Sequence, residues 1–159
     1  MNILIEKTCC ISGHRDITFL ETISLKKELR KTLISLINDG IIYFGCGGAI
    51  GFDTIAAEEI LCIKKKKPHI KLIMVYPCKD QTKYWTKKDK NKYLKIKEKS
   101  DKIVYVSENY DSSCMHKRNR HLVNSSSVCL CYLKKQEGGT FYTVNYAYRK
   151  GLKIINLAH

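Results

Sequence analysis

The first six residues, Met1 to Glu6, lack the long apolar region and small-residue cleavage site of a secretory signal. No stretch approaches the roughly 20 consecutive apolar residues needed to span a bilayer. Both absences point to a soluble, cytoplasmic protein. The eight cysteines include no CxxC pair: Cys9 and Cys10 are adjacent, Cys129 and Cys131 are two apart in an apolar run, and Cys46, Cys62, Cys78 and Cys114 are scattered. That spacing argues against a metal site or a disulfide framework and for cysteines used as small hydrophobes in a reducing compartment. Acid is also scarce, with 15 Asp and Glu against 29 Lys and Arg, a formal net charge of +14. The lysines are spread widely, with runs at 64–67 and between Lys83 and Lys102, and such runs usually form solvated faces. Nucleic acid is therefore a second, less favoured partner class; the charge suits a small anionic ligand through long-range attraction.

What is present is enough for one core. The chain has 159 residues, 44% of them hydrophobic, which suits a single domain over 1–159. Short apolar runs at 8–12, 41–44, 70–76, 103–106, 128–133 and 153–157 alternate with stretches of helical period. The first of these is opened by a capping box, Thr18-Phe19-Leu20-Glu21, and carries Leu25, Leu29, Leu33, Leu36 and Ile37 at helical spacing. Further helices are expected over about 53–66, 86–99, 115–124 and 140–149. Continuous apolar strands joined by helices predict an α/β fold, a Rossmann-like three-layer sandwich around a mainly parallel sheet of about six strands. In such sheets ligands bind at the carboxyl ends of the strands, where the strand order reverses.

Three strand ends carry small or hydroxyl residues. After the first comes Ser12-Gly13-His14-Arg15; after the second, Gly45-Cys46-Gly47-Gly48-Ala49-Ile50-Gly51-Phe52-Asp53; after the fifth, Gly138-Gly139-Thr140. A strand that turns through glycine into a helix presents unpaired N–H groups and a positive dipole end, which suit phosphate oxygens. The central stretch is neither GxGxxG nor a P-loop, and by itself it could be a tight turn without a ligand. Arg118, early in the helix after the fourth strand, is placed to clamp a phosphate or to stand as a surface charge. Asp53 and Glu58 are first-turn helix acids or, alternatively, ribose-binding or catalytic carboxylates. His14 is a loop residue or a ligand contact. Tyr84 and Trp85 stack on a base or cap the core.

Taken in order, "SGHR", "GGAIGFD" with "AAEE", Pro77, Gln81 and Trp85 in a "YP…Q…W" pattern, "RNRHLVNSSS" and "GGTFYTVNYA" resemble the YpsA-like branch of the SLOG superfamily over nearly the whole chain. That superfamily groups the Smf/DprA fold with the Lonely Guy phosphoribohydrolases and with sensors of ADP-ribose-derived messengers. The resemblance implies a nucleotide-type ligand, with Gly47, Gly48, Ala49, Gly51, Gly139 and Thr140 at phosphates and Asp53 and Asn119 at ribose. It also implies a homodimer or homotetramer and calls for no metal or cofactor. The Lonely Guy motifs place an arginine at Arg118 and a glutamate at Thr143, and threonine cannot act as that carboxylate. The expectation is therefore a sensor or sequestering sponge for an ADP-ribose or cyclic ADP-ribose type signal, as an antagonist of antiphage signalling in a bacterial or phage-infected cell would need. The alternatives are a phosphoribohydrolase using Glu58 or Asp53, and single-stranded DNA binding as in Smf/DprA.

Overall fold

The computed structural model describes residues 2–159. Its elements follow in the order α1 (Ile3–Glu6), β1 (Thr8–Gly13), α2 (Phe19–Asn38), β2 (Tyr43–Cys46), α3 (Phe52–Lys64), β3 (Lys71–Tyr76), α4 (Lys87–Lys99), β4 (Lys102–Tyr105), α5 (Cys114–Asn124), β5 (Val128–Tyr132), α6 (Gly138–Arg149) and β6 (Lys153–Asn156). The strands form one sheet in the order β4-β3-β2-β1-β5-β6, and every pairing is parallel. The fold is a single-domain, Rossmann-like α/β sandwich. Among the described residues no helix is long and apolar enough to cross a membrane.

The inner strands are mainly apolar because both faces are covered, and the period of two sorts their side chains between two cores. Cys9, Ile11, Leu72, Met74, Tyr76, Leu130 and Tyr132 face α2, α3 and α4, where Leu25, Leu29, Leu33, Phe52, Ala56 and Ile60 meet them. The alternate residues Cys10, Val75, Cys129 and Cys131 face Leu122 and Val123 of α5 and Val144 and Ala147 of α6. Cysteine supplies the small side of β1 and β5. Seven of the eight cysteines are buried, and Cys62 alone is exposed.

Several boundaries move for local reasons. The one-turn helix α1 was not foreseen; the Asn2 side chain caps it by accepting from the Leu4 N–H at 2.9 Å. Strand β2 starts two residues late and runs into Gly45 and Cys46, because Gly45 pairs with both Cys10 and Ile73. The capping box at α2 closes on one side: Thr18 Oγ1 accepts from the Glu21 N–H at 3.2 Å, while the Glu21 carboxylate accepts instead from the Tyr132 hydroxyl at 2.9 Å. Helix α4 begins at a Thr86 cap that accepts from the Asp89 N–H at 3.2 Å, and its Tyr93 packs edge-on against Trp85. Trp85 belongs to the core, and Tyr84 is exposed.

Candidate functional site

Strand β1 lies between β2 and β5, so the chain first builds outward on one side of it and then returns to the other. This is the point of order reversal, where the loops leaving β1 and β5 diverge and leave a crevice. A cavity of about 410 Å³ opens there. Ser12, Gly13, His14 and Arg15 line it from the end of β1, Ala49 and Asp53 from the start of α3, Arg118 and Asn119 from α5, and Gly138, Gly139 and Thr140 from α6. The three strand-end motifs and the arginine helix therefore converge, as their order in the sequence implied.

Gly47, Gly48 and Gly51 do not line that cavity. Their lack of a side chain makes room for the protein itself. A Cβ on Gly47 would lie 2.6 Å from Arg118 Cζ, one on Gly48 2.5 Å from the Tyr76 ring, and one on Gly51 2.6 Å from the His14 carbonyl oxygen. Gly48 and Gly51 also have positive φ, 75° and 84°. The Ala49 N–H donates to Asp53 Oδ2 at 3.2 Å, and the Phe52 N–H donates to the His14 carbonyl at 3.1 Å. The second glycine turn is thus a packing turn, and the amides of Ala49 and Phe52 already have partners in the chain.

The turn before α6 is different. A Cβ on Gly138 or Gly139 would meet nothing within 4 Å. Glu137 occupies the N-cap position in extended backbone, and its side chain makes no capping bond. The first-turn amides of a twelve-residue helix, with its positive dipole end, thus border the cavity without a side-chain cap. Thr143, where the resemblance would place a carboxylate, is buried and donates its hydroxyl to the Gly139 carbonyl at 2.8 Å.

Arg118 lines the same cavity and is only 5% exposed. Its guanidinium donates to the Gly47 carbonyl and, at 2.7 Å, to Asn119 Oδ1; a third nitrogen lies 3.8 Å from Met115 Sδ. Among the described residues no carboxylate forms an ion pair with it. Burial pulls its pKa below the ordinary arginine value, while the negative charge of Asp53 works against that shift. Asp53 is 6% exposed, and burial pushes its pKa up to about 6 despite Arg118 and the Ala49 N–H.

His14 Nε2 accepts from the backbone N–H groups of Lys134 and Lys135 at 2.9 and 3.3 Å, which puts the ring proton on Nδ1. Burial, and then the neighbouring lysines, lower its pKa in spite of Asp16. His14 is therefore a neutral clasp that holds the loop after β5 to the end of β1. Glu58 stands on the exposed side of α3, outside the cavity, so of the two carboxylates considered for catalysis only Asp53 is at the site. Asp16, Met115 and Glu137 also line the cavity. They were missed because each is an ordinary residue in its own segment, and only the meeting of three loops gives it a shared neighbour.

The geometry places the chain in a class before any relative is considered: a doubly wound α/β protein with a polar crevice at its switch point. Residues 10–154 match the model of the YspA SLOG family, YpsA, and the chain belongs to that family. It is 30% identical over 138 residues to the SPbeta prophage-derived protein YoqJ of Bacillus subtilis (strain 168), covering 79% of this chain and 81% of that one. It is 26% identical over 141 residues to a UPF0398 protein of Halalkalibacterium halodurans, covering 87% of this chain and 72% of the other. Among solved structures, DNA processing protein A (DprA) from Streptococcus pneumoniae shares the fold with a TM-score of 0.70 at 18% identity, covering 96% of this chain and 50% of that one. DprA from Helicobacter pylori, described for its single-stranded DNA binding mode, gives a TM-score of 0.67 at 21% identity, covering 94% of this chain and 64% of that one. This chain thus spans half to two thirds of the DprA chains whose fold it shares.

Proposed function

We propose that this protein binds a phosphate-bearing nucleotide-type molecule, of the ADP-ribose or cyclic ADP-ribose class, in the switch-point cavity and holds it intact. The observation that carries the reading is the buried Arg118 guanidinium, with no carboxylate at ion-pair distance among the described residues, lining the same cavity as the uncapped N-terminus of α6. A buried cation that no carboxylate touches is costly, and a phosphate bound between it and a helix N-terminus would offset that cost. The cavity volume of about 410 Å³ falls in the range of small-molecule sites, roughly 300–1,000 Å³. Buried Asp53, an acceptor when ionised, suits the ribose hydroxyls of such a ligand. The hydroxyl at Thr143 and the position of Glu58 outside the cavity support retention without cleavage, with Asp53, the carboxylate in the cavity, assigned to ribose.

A second reading, single-stranded DNA held at the same edge, draws on the +14 charge and on the DNA binding named for the Helicobacter DprA. One experiment separates the two. Purified protein is incubated with a nucleotide panel that includes ADP-ribose and cyclic ADP-ribose isomers, washed and heat-denatured, and the released compounds are identified by mass spectrometry. We expect one intact compound, lost when Gly139→Trp places a ring in open space away from the core. Free base or ribose phosphate in the mixture would make the protein an enzyme. Recovery of nothing, with tight binding of an oligo-dT strand, would move the function to DNA.

A further inference from the structure

Helices α3 and α4 enclose a second groove, of about 500 Å³, on the opposite face of the sheet from α5 and α6. Its walls repeat one spacing. Glu58, Leu61 and Cys62 of α3, with Lys65 at its C-cap, occupy i, i+3, i+4 and i+7, and Lys92, Lys95, Ile96 and Lys99 do the same on α4. Each helix thus turns one continuous stripe toward the other, about 10 Å long at 1.5 Å per residue. Leu61, Cys62 and Ile96 make an apolar floor, and Lys64, Lys65, Lys92, Lys95 and Lys99 make a basic rim. Lys64 is paired with Asp101, but Lys65, Lys92, Lys95 and Lys99 have no ion-pair partner among the described residues. Glu58 is the single acid in the lining. Two lysine runs that look like general composition in the sequence therefore share one concave surface.

We infer that this groove receives an acidic amphipathic helix of a partner protein, laid between α3 and α4 with its apolar side chains on Leu61 and Ile96 and its carboxylates on the lysine rim. Charge complementarity selects the acidic partner. The apolar floor and the length of the stripe select a helix, which would present anchors at i, i+3 or i+4, and i+7. Single-stranded nucleic acid fits less well, since no aromatic side chain lines the groove to stack on a base. A second copy of the chain would bring another +14 to a positive surface. The groove is distinct from the switch-point cavity, whose lining shares no residue with it.

The test uses the whole protein and three fluorescein-labelled probes: a helical peptide with Leu at i, i+4 and i+7 and Glu on the flanking positions, a scrambled peptide of the same composition, and an oligo-dT strand. Anisotropy should show saturable binding of the ordered acidic peptide, weakened about tenfold or more by the triple change Lys65→Glu, Lys92→Glu, Lys95→Glu at exposed positions. The bound peptide should also slow alkylation of Cys62, the exposed thiol in the floor. Arg118→Met should leave both readouts unchanged, which separates this surface from the nucleotide reading. Equal binding of the scrambled peptide, no binding of either peptide, or tighter oligo-dT binding that the triple variant abolishes would overturn the inference. Circular dichroism of the triple variant confirms that any loss is local.

Discussion

The turn between β2 and α3 and the turn that opens α6 both place glycines at the carboxyl edge of one sheet, yet their surroundings have nothing in common. At Gly47, Gly48 and Gly51 the missing side chain is replaced by the Arg118 guanidinium, the Tyr76 ring and the backbone of residues 14 and 15. At Gly138 and Gly139 it is replaced by open space. Glycine serves close packing in the first turn and access in the second. Similar sequence patterns thus mark a packed turn beside the site in one place and its open wall in the other, and substitutions at the two should separate stability from binding.

The largest effect is expected at Gly51→Ala. The new Cβ would sit against backbone oxygens that cannot rotate away, at a φ of 84°, and a loss of more than about 3 kcal/mol should appear as a lower denaturant midpoint. A midpoint within experimental error of the parent would mean that the packed turn is slack.

Next is Asp53→Asn. Its pKa in the fold, about 6, lies above the ordinary aspartate value of 3.8, so between those values the folded protein holds more protons than the unfolded chain. The associated stability is complete below about pH 3.8 and is lost as the pH rises through 6. At pH 7 the variant should be more stable than the parent by roughly 1–3 kcal/mol, and at pH 3.5 the two should coincide. Parallel stability profiles across that window would show that Asp53 is not strained by burial.

Arg118→Met should change stability by only about 1 kcal/mol, because relief of a buried charge offsets the donor lost from the Gly47 carbonyl. Nucleotide retention should nevertheless disappear. A large loss of stability with retention intact would make Arg118 a brace for the packed turn and nothing more. The smallest effect is expected at Gly139→Ala, which should raise stability by about 0.5–1 kcal/mol by restricting the unfolded chain, while weakening ligand retention through a methyl group at the cavity wall. Stabilisation without any effect on retention would close the comparison by showing that the open turn serves no ligand.

The fold was legible because its signals are local. Leu25, Leu29, Leu33 and Leu36 at helical spacing, Thr18 and Thr86 at helix starts, and unbroken apolar runs in strands covered on both faces each report on a few neighbouring residues. The site was legible in part for the same reason, since in a parallel sheet every motif that follows a strand arrives at one edge. The short helix α1 was not legible, because a single turn has no period to read. The role of Gly47 and Gly51 was hidden as well: a glycine declares that something comes close, but what comes close here is residue 118 in one case and residues 14 and 15 in the other.

By itself, then, the order of residues determined the elements, the parallel sheet and the edge where three turns meet, all of which follow from short-range periodicity and right-handed crossovers. Only the tertiary structure decided which glycines face the protein and which face solvent, that Arg118 is buried with no carboxylate at ion-pair distance among the described residues, that Glu58 lies outside the cavity, and that two lysine runs meet across a groove. Those facts depend on distances between residues far apart in the chain, and burial, desolvation and charge pairing are properties of such distances.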